Sequence, residues 1–334
     1  MIRRLFTIAL AIAAVAALLR YADIPTAVSA LVSMPRTSLL AVLGLLFARA
    51  LAQAARWSYY LRSAELPIRR RDAMTSFLAG MSLGWLPGGG LFAARLAQEH
   101  GHVRMRQAAP ALLVKVVADL FVLATLAFGF GLAVREPRDR LLIPIAGLAF
   151  ASLLVTMSRS QRLWDSIDRL LGRFRLTRNW LSQEADIHAR VKALMRARVL
   201  ATGILFSLLT TALSIMLLTL LVDGLTFRGI TPLEAATIHA TAETVGKLAP
   251  IGVGFTLGDS SLAQMLNGLG IGWIRVLYLM LTLRSLNLLF RTGFGAMTLV
   301  ACYRPLLFAA LDLPRRQRTT RRWAGYAWRR GRQE

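Results

Sequence analysis

The chain has 334 residues, of which 56% are hydrophobic, and its 41 Lys and Arg against 17 Asp and Glu give a formal net charge of +24. The apolar residues form long uninterrupted blocks, which is typical of a polytopic membrane protein and excludes an ordinary soluble core. The arginines lie in short segments between these blocks, so a positive-inside topology explains the charge better than nucleic-acid binding does. The single cysteine excludes an internal disulfide and a cysteine-rich zinc site.

Six apolar blocks predict six full membrane spans in an all-α polytopic protein. They cover about residues 5–20, 38–61, 109–134, 141–157, 199–222 and 273–302. The first block follows a short basic N-terminus and is interpreted as an uncleaved signal anchor, with a cleaved signal peptide as the alternative.

Two further apolar stretches, about 73–97 and 235–269, are each interrupted by a proline-glycine cluster. The first break contains Pro87, Gly88, Gly89 and Gly90, and the second contains Pro250, Gly252 and Gly254. In hydrocarbon an unpaired backbone group costs several kcal/mol, so irregular backbone persists only where protein or a watery cavity surrounds it. Each break therefore predicts a re-entrant broken helical hairpin, with a kinked span as the alternative.

The distribution of Lys and Arg predicts the orientation of the chain. With both broken stretches re-entrant, the segments on one side hold 26 basic residues and the loops on the other side hold 5. The positive-inside rule makes the basic side cytoplasmic and predicts that both termini lie there. We expect a multi-pass protein of the plasma membrane, that is, a bacterial inner membrane.

The same orientation makes the two hairpins enter from opposite faces, each within the order span, hairpin, span. This order predicts an inverted repeat of the kind found in transporters. The predicted units are a signal anchor and outside loop (1–37), a first repeat (38–134), a connecting span with a basic amphipathic cytoplasmic segment (135–198), a second repeat (199–302) and a basic cytoplasmic tail (303–334).

Ionisable residues within apolar spans are candidates for function, since they are unfavourable there and usually face the interior. Lys115 with Asp119 and Glu243 with Lys247 are four residues apart and are expected to pair. The candidates for lipid headgroup binding are Arg49, Arg56, Trp57, Arg95, Lys115, Lys247, Arg284, Asn287 and Arg291. The candidates for charge balance or proton coupling are Asp119, Glu243 and Asp259.

Structural roles remain open for some of these candidates. Arg56 could extend to the interface beside Trp57 and Tyr59, and Lys115 with Asp119 could form a neutral pair that clamps helices. Taken together the charges are more basic than acidic and flank the breaks. Arginine forks match phosphate or carboxylate, and half-helix N-termini attract anions, so the predicted ligand is an anionic, phosphate-bearing headgroup.

The motifs around both breaks resemble the flippase-like family defined by the transmembrane region of lysylphosphatidylglycerol synthases. In the first half Arg56-Trp57, Pro87-Gly88-Gly89 and Asp119 match the family pattern. In the second half Pro250, Gly254, Asp259 and Arg284 match it. Two departures are that Leu91 and Phe92 follow the first break where the family has an acidic residue, and that Lys115-Val116 stands where it has Glu-Arg.

The resemblance implies a flippase-like transporter of an anionic or phosphate-bearing lipid, such as a phospholipid, a polyprenyl-linked lipid or a hopanoid-type lipid. With about thirty residues after Cys302, no synthase domain is expected. The expected partners are membrane lipids and not nucleic acid, and an envelope or lipid-biosynthesis protein partner and a homo-oligomer are left open.

Two rival functions are a non-transporting membrane partner of a lipid-modifying or envelope enzyme, and a membrane-embedded enzyme that acts on lipid headgroups. The enzyme is disfavoured because the four histidines form no His-Glu-x-x-His motif. No enzymatic activity, metal or cofactor is expected.

Overall fold

The computed structural model describes residues 34–83, 89–101, 103, 105–134, 138–160, 185–225, 229–249 and 254–311. Every regular element within these ranges is helical. The elements are α1 (Arg36–Ser63), α2 (Arg70–Gly80), a 3-10 turn (Met81–Leu83), α3 (Gly89–Gly101), α4 (Met105–Ala133), α5 (Arg138–Arg159), α6 (Ala185–Leu194), α7 (Ala197–Leu225), α8 (Pro232–Leu248), α9 (Gly254–Gly268) and α10 (Trp273–Leu311).

Four of the described helical segments are long and apolar enough to cross a membrane. They are Arg36–Ser63, Pro110–Ala133, Ala197–Leu225 and Trp273–Tyr303, and they coincide with four of the six predicted spans. The predicted span at 141–157 forms α5, whose apolar part Leu141–Thr156 is shorter. The predicted span at 5–20 lies outside the described residues. The protein is a multi-pass all-α membrane protein, and a count of six spans stays a prediction.

Both apolar stretches with a proline-glycine cluster form pairs of shorter helices. α2 packs against α3, and α8 packs against α9. The 3-10 turn after α2 ends at Leu83 and α3 begins at Gly89, while α8 ends at Leu248 and α9 begins at Gly254. The predicted break residues Pro87, Gly88, Pro250 and Gly252 lie outside the described residues. Gly89 and Gly90 begin α3, and Gly254 begins α9.

The start of α8 shows why the sequence begins a helix there. The Thr231 side chain accepts a hydrogen bond from the Glu234 N–H at 3.2 Å, and the Glu234 carboxylate accepts one from the Thr231 N–H at 2.8 Å. This capping box, with Pro232 in the first helical turn, satisfies backbone groups that would otherwise be unpaired. In α2 an acidic residue, Asp72, also occupies the first turn, where the helix dipole favours negative charge.

The helices pack reciprocally. α2 packs against α1 and α10, while α8 packs against α7 and α4. α3 packs against α4, and α9 packs against α10 in the same way. Two separate apolar clusters accompany this arrangement. One is built around α7 to α10 and includes Leu221, Leu266 and Leu279. The other is built around α1 to α4 and includes Trp57 and Val114.

Helical structure is also present in the connecting segment and near the C-terminal end of the described residues. In the region predicted to be amphipathic, α6 packs on α4 and buries Val191 and Leu194, while residues 161–184 lie outside the described residues. Tyr303 has a non-helical backbone, with φ −118° and ψ 19°, so α10 is kinked there and its helical residues extend to Leu311. The kink lies next to the predicted end of the second repeat at 302, and the basic tail predicted from 303 onwards stays a prediction.

Gly295 lies where α10 packs closely against the first hairpin. A Cβ atom there would lie 2.9 Å from the Ser82 Cα and 3.1 Å from the Leu78 carbonyl oxygen, whereas one at Gly293 would meet nothing within 4 Å. We expect Gly295→Ala to reduce stability by about 1–3 kcal/mol, because the backbone of the neighbouring helix must move. Gly293→Ala is the matched control and is expected to be neutral or slightly stabilising. Thermal unfolding of both variants in detergent at one scan rate tests this, and equal midpoints would contradict it.

Candidate functional site: a buried charge cluster and an arginine-lined cavity

Asp119 on α4 joins side chains from four helices. Its carboxylate accepts hydrogen bonds from Arg56 of α1 at 2.5 and 3.4 Å and from the Ser207 hydroxyl of α7 at 2.7 Å. The Lys115 Nζ lies 3.6 Å away on the same helix, and the Lys247 Nζ of α8 lies 3.9 Å away. We call these five residues the Asp119 cluster. It fastens the first repeat to α7 and α8 through one carboxylate.

Arg56 is the most buried charge of the cluster, with only 1% of the residue exposed. Its guanidinium is therefore enclosed by protein, where it pairs with Asp119. Its neighbour Trp57 is equally enclosed, and the Trp57 indole Nε1 donates to the Ser76 hydroxyl of α2 at 3.3 Å. Both residues, predicted to bind a headgroup, connect helices in this structure and do not line the cavity described below.

The second predicted pair extends the charges along α8. The Lys247 Nζ lies 3.7 Å from the Glu243 carboxylate as well as near Asp119. The two pairs expected from their spacing of four residues, Lys115 with Asp119 and Glu243 with Lys247, are therefore present. Lys247 connects them into one network.

A cavity of about 40 Å³ lies between α1 and α10, which is more than a single water molecule needs. Its polar lining comes from Arg49 and Gln53 on α1 and from Asn287 and Arg291 on α10. We call these four residues the arginine cradle. In each helix the arginine and the amide are four residues apart, so both point from one helix face into the same space.

The remaining lining of the cavity is apolar and is formed by Leu46, Ala50, Met81 and Phe290. Met81 belongs to the 3-10 turn that ends the first arm of the first hairpin. The cavity thus reaches the helix that leads into the first break. Phe47 and Phe294 make an edge-to-face contact between α1 and α10, with ring centroids 5.4 Å apart.

Neither arginine of the cradle is neutralised by a carboxylate. Within the described part of the chain, no Asp or Glu oxygen lies within 4.0 Å of the Arg49 or Arg291 guanidinium, and neither makes a hydrogen bond. Both side chains are only partly exposed. A guanidinium inside a membrane protein is unfavourable without a partner, so this cavity is suited to a bound anion.

Two other predicted residues pair outside the cradle. Arg284 of α10 pairs with Asp259 of α9, with the Arg284 Nε 2.5 Å from the carboxylate. Arg95 of α3 is largely exposed and pairs with Glu99 at 2.8 Å. The structure therefore brings Arg49, Asn287 and Arg291 together at the cavity, whereas Arg284 and Arg95 lie elsewhere.

Gln53 and Ser207 were not singled out by sequence reasoning. Gln53 lies four residues after Arg49, so helical spacing alone could have placed it on the same helix face as that arginine. Ser207 belongs to a stripe of small polar residues on α7 that packs towards α1, and such stripes are common at membrane helix interfaces. No group of three or more His, Cys, Asp and Glu side chains in the described ranges is arranged to hold a metal ion.

A family model described as the lysylphosphatidylglycerol synthase TM region matches residues 5–295. The match covers most of the chain, so the chain belongs to this family, as the motifs around the breaks indicated. Comparison with curated proteins and with solved structures gave no match. The family relates the chain to lipid handling in membranes.

Proposed function

We propose that this member of the lysylphosphatidylglycerol synthase TM region family is a lipid transporter that binds an anionic headgroup in the arginine cradle and moves the lipid between leaflets. The observation that carries the proposal is the pair Arg49 and Arg291, two cations that line one cavity without a carboxylate partner. Arginine binds phosphate through two parallel hydrogen bonds, and Gln53 and Asn287 add neutral donors.

The wall of the cavity supports a lipid as the ligand. Leu46, Ala50 and Phe290 line it beside the polar groups. On α1 the neighbouring residues Leu43 and Phe47 are exposed and apolar, as expected of a surface that contacts acyl chains. A headgroup in the cradle would therefore leave its tails a path to the bilayer.

The reciprocal packing of the two hairpins supports an inverted repeat as the basis of transport. Each hairpin packs by its first arm against the last helix of the other repeat: α2 on α10 and α8 on α4. In our proposal the hairpins are re-entrant from opposite faces, and one repeat rocks against the other to expose the cradle alternately to each side. Both termini are cytoplasmic, the membrane is the plasma membrane, and no bond of the lipid is made or broken.

The lipid that remains bound after purification tests this proposal. We expect native mass spectrometry of the wild-type protein in mild detergent to show one retained anionic lipid. Arg49→Gln combined with Arg291→Gln should lose this lipid, because the two charge-assisted contacts disappear. Arg62→Gln, on the same helix but exposed to solvent, is the control and should retain it. Equal retention by all three proteins would show that the arginine cradle does not bind the lipid.

A further inference from the structure

The number of charges in the site shows which anions it can hold. The Asp119 cluster with Glu243 and the arginine cradle contains five cationic side chains, namely Arg49, Arg56, Lys115, Lys247 and Arg291. Two carboxylates, Asp119 and Glu243, stand against them. Among the described residues this leaves three positive charges without a balancing negative charge.

The cluster and the cradle form one electrostatic site. Arg49 and Arg56 lie on one face of α1, about 10 Å apart by the rise of the helix. Lys247 contacts both Asp119 and Glu243, which places the two carboxylates in one network. The pair Arg284 and Asp259 is neutral and adds nothing to the surplus.

The cavity also offers more hydrogen-bond donors than the two charged oxygens of one phosphodiester can accept. Each guanidinium of the cradle presents a planar fork of N–H donors, and Gln53 and Asn287 contribute amide groups at the same cavity. The Lys115 ammonium is 3.6 Å from its nearest carboxylate oxygen, and that of Lys247 is 3.7 Å from its nearest. These long separations leave both lysines able to attract a further anion.

We infer that the headgroup is polyanionic, a terminal phosphate or diphosphate on a lipid, and not a phosphodiester. This inference rests on the proposed function, because it names the substrate class of the same cradle. A phosphodiester carries a single negative charge and would leave most of the surplus unbalanced. A terminal phosphate carries about −1.5 to −2 at neutral pH and presents three strong acceptor oxygens. A terminal diphosphate adds further charge and further acceptors.

The test compares lipids that share the same two acyl chains and differ only in the headgroup. The probes are phosphatidylglycerol, phosphatidic acid and diacylglycerol diphosphate, each titrated into wild-type protein in phosphatidylcholine nanodiscs at pH 7.5. We expect affinity to rise in that order, with phosphatidic acid at least fivefold tighter than phosphatidylglycerol. Lowering the pH to 5.5 should bring the affinity for phosphatidic acid towards that for phosphatidylglycerol, because a phosphate monoester then binds its second proton and keeps a single negative charge.

Two variants and a soluble anion distinguish a failure of the polyanionic headgroup from a failure of the proposed function. Arg49→Gln combined with Arg291→Gln should abolish the differences in affinity among the three lipids, whereas Arg62→Gln should preserve them. Equal affinities of the three lipids that still depend on the two arginines would overturn the polyanionic headgroup and leave the proposed function intact. Binding of none of the three by wild-type protein would refute the proposed function itself. Inorganic diphosphate binding as tightly as its lipid form would show that the site recognises a free anion and not a lipid.

Discussion

Asp119→Asn should be the most destabilising single substitution in the polar interior, lowering the free energy of unfolding by about 3–5 kcal/mol. Asp119 balances Arg56, which is 1% exposed, and also receives the Ser207 hydroxyl from α7. Removing the negative charge leaves a buried guanidinium uncompensated between helices. Thermal unfolding of purified protein in detergent at a fixed scan rate measures the effect, since membrane proteins of this size often unfold irreversibly.

Asp259→Asn is the matched control for this prediction. Asp259 also pairs with an arginine of another helix, but the Arg284 side chain is 40% exposed, so solvent can compensate the lost charge. We expect a clearly smaller shift of the thermal midpoint. A double variant with Arg56→Met and Asp119→Leu should lose less stability than the sum of its two single substitutions, giving a coupling energy of about 1–3 kcal/mol. Equal shifts for Asp119→Asn and Asp259→Asn would contradict the central role of Asp119.

Arg49→Gln combined with Arg291→Gln should have the opposite profile: normal stability and loss of transport. The two guanidinium groups have no carboxylate partner within the described residues, so their removal breaks no ion pair in the unliganded protein. Each charge-assisted contact to a bound anion contributes about 1.5–3 kcal/mol. Loss of both should slow lipid movement by at least about 100-fold.

The control for this pair of substitutions is Arg62→Gln, which removes an exposed charge from the last turn of the same helix. Its transport rate and its thermal midpoint should both match the wild type. If the double variant unfolded as easily as Asp119→Asn, the cradle would be part of the structural support of the fold. Its two arginines would then not be a ligand site.

Local patterns predicted much of the fold. The apolar blocks placed the membrane-crossing segments of α1, α4, α7 and α10 close to their observed bounds, because a span is recognised by a run of neighbouring apolar residues. The proline-glycine clusters lie between the described ends of α2 and α3 and of α8 and α9, because proline and glycine disfavour a continuing helix. The pairs Lys115 with Asp119 and Glu243 with Lys247 followed from helix geometry alone.

Contacts between distant helices could not be predicted in the same way. Arg56 and Asp119 were both named as candidates, but their pairing across 63 residues depends on how α1 packs against α4. The same holds for Arg284 with Asp259. The cradle depends on α1 and α10 meeting, and no spacing in the sequence indicates that Arg49 and Arg291 share a cavity. The sequence therefore predicted which charged residues matter, but not that they divide into the Asp119 cluster and the arginine cradle.

The leaflet accessibility of a labelled lipid shows whether the cradle moves an anionic lipid across the membrane. Wild-type protein and the double variant are reconstituted into liposomes that contain a trace of fluorescent phosphatidic acid, and the fraction quenched by a membrane-impermeant reductant is followed over time. A fluorescent phosphatidylcholine with the same tails reports non-specific leakage. We expect wild-type protein to make the inner-leaflet phosphatidic acid accessible, and the double variant to leave it inaccessible. Equal rates for the two proteins, or for the two lipids, would contradict it.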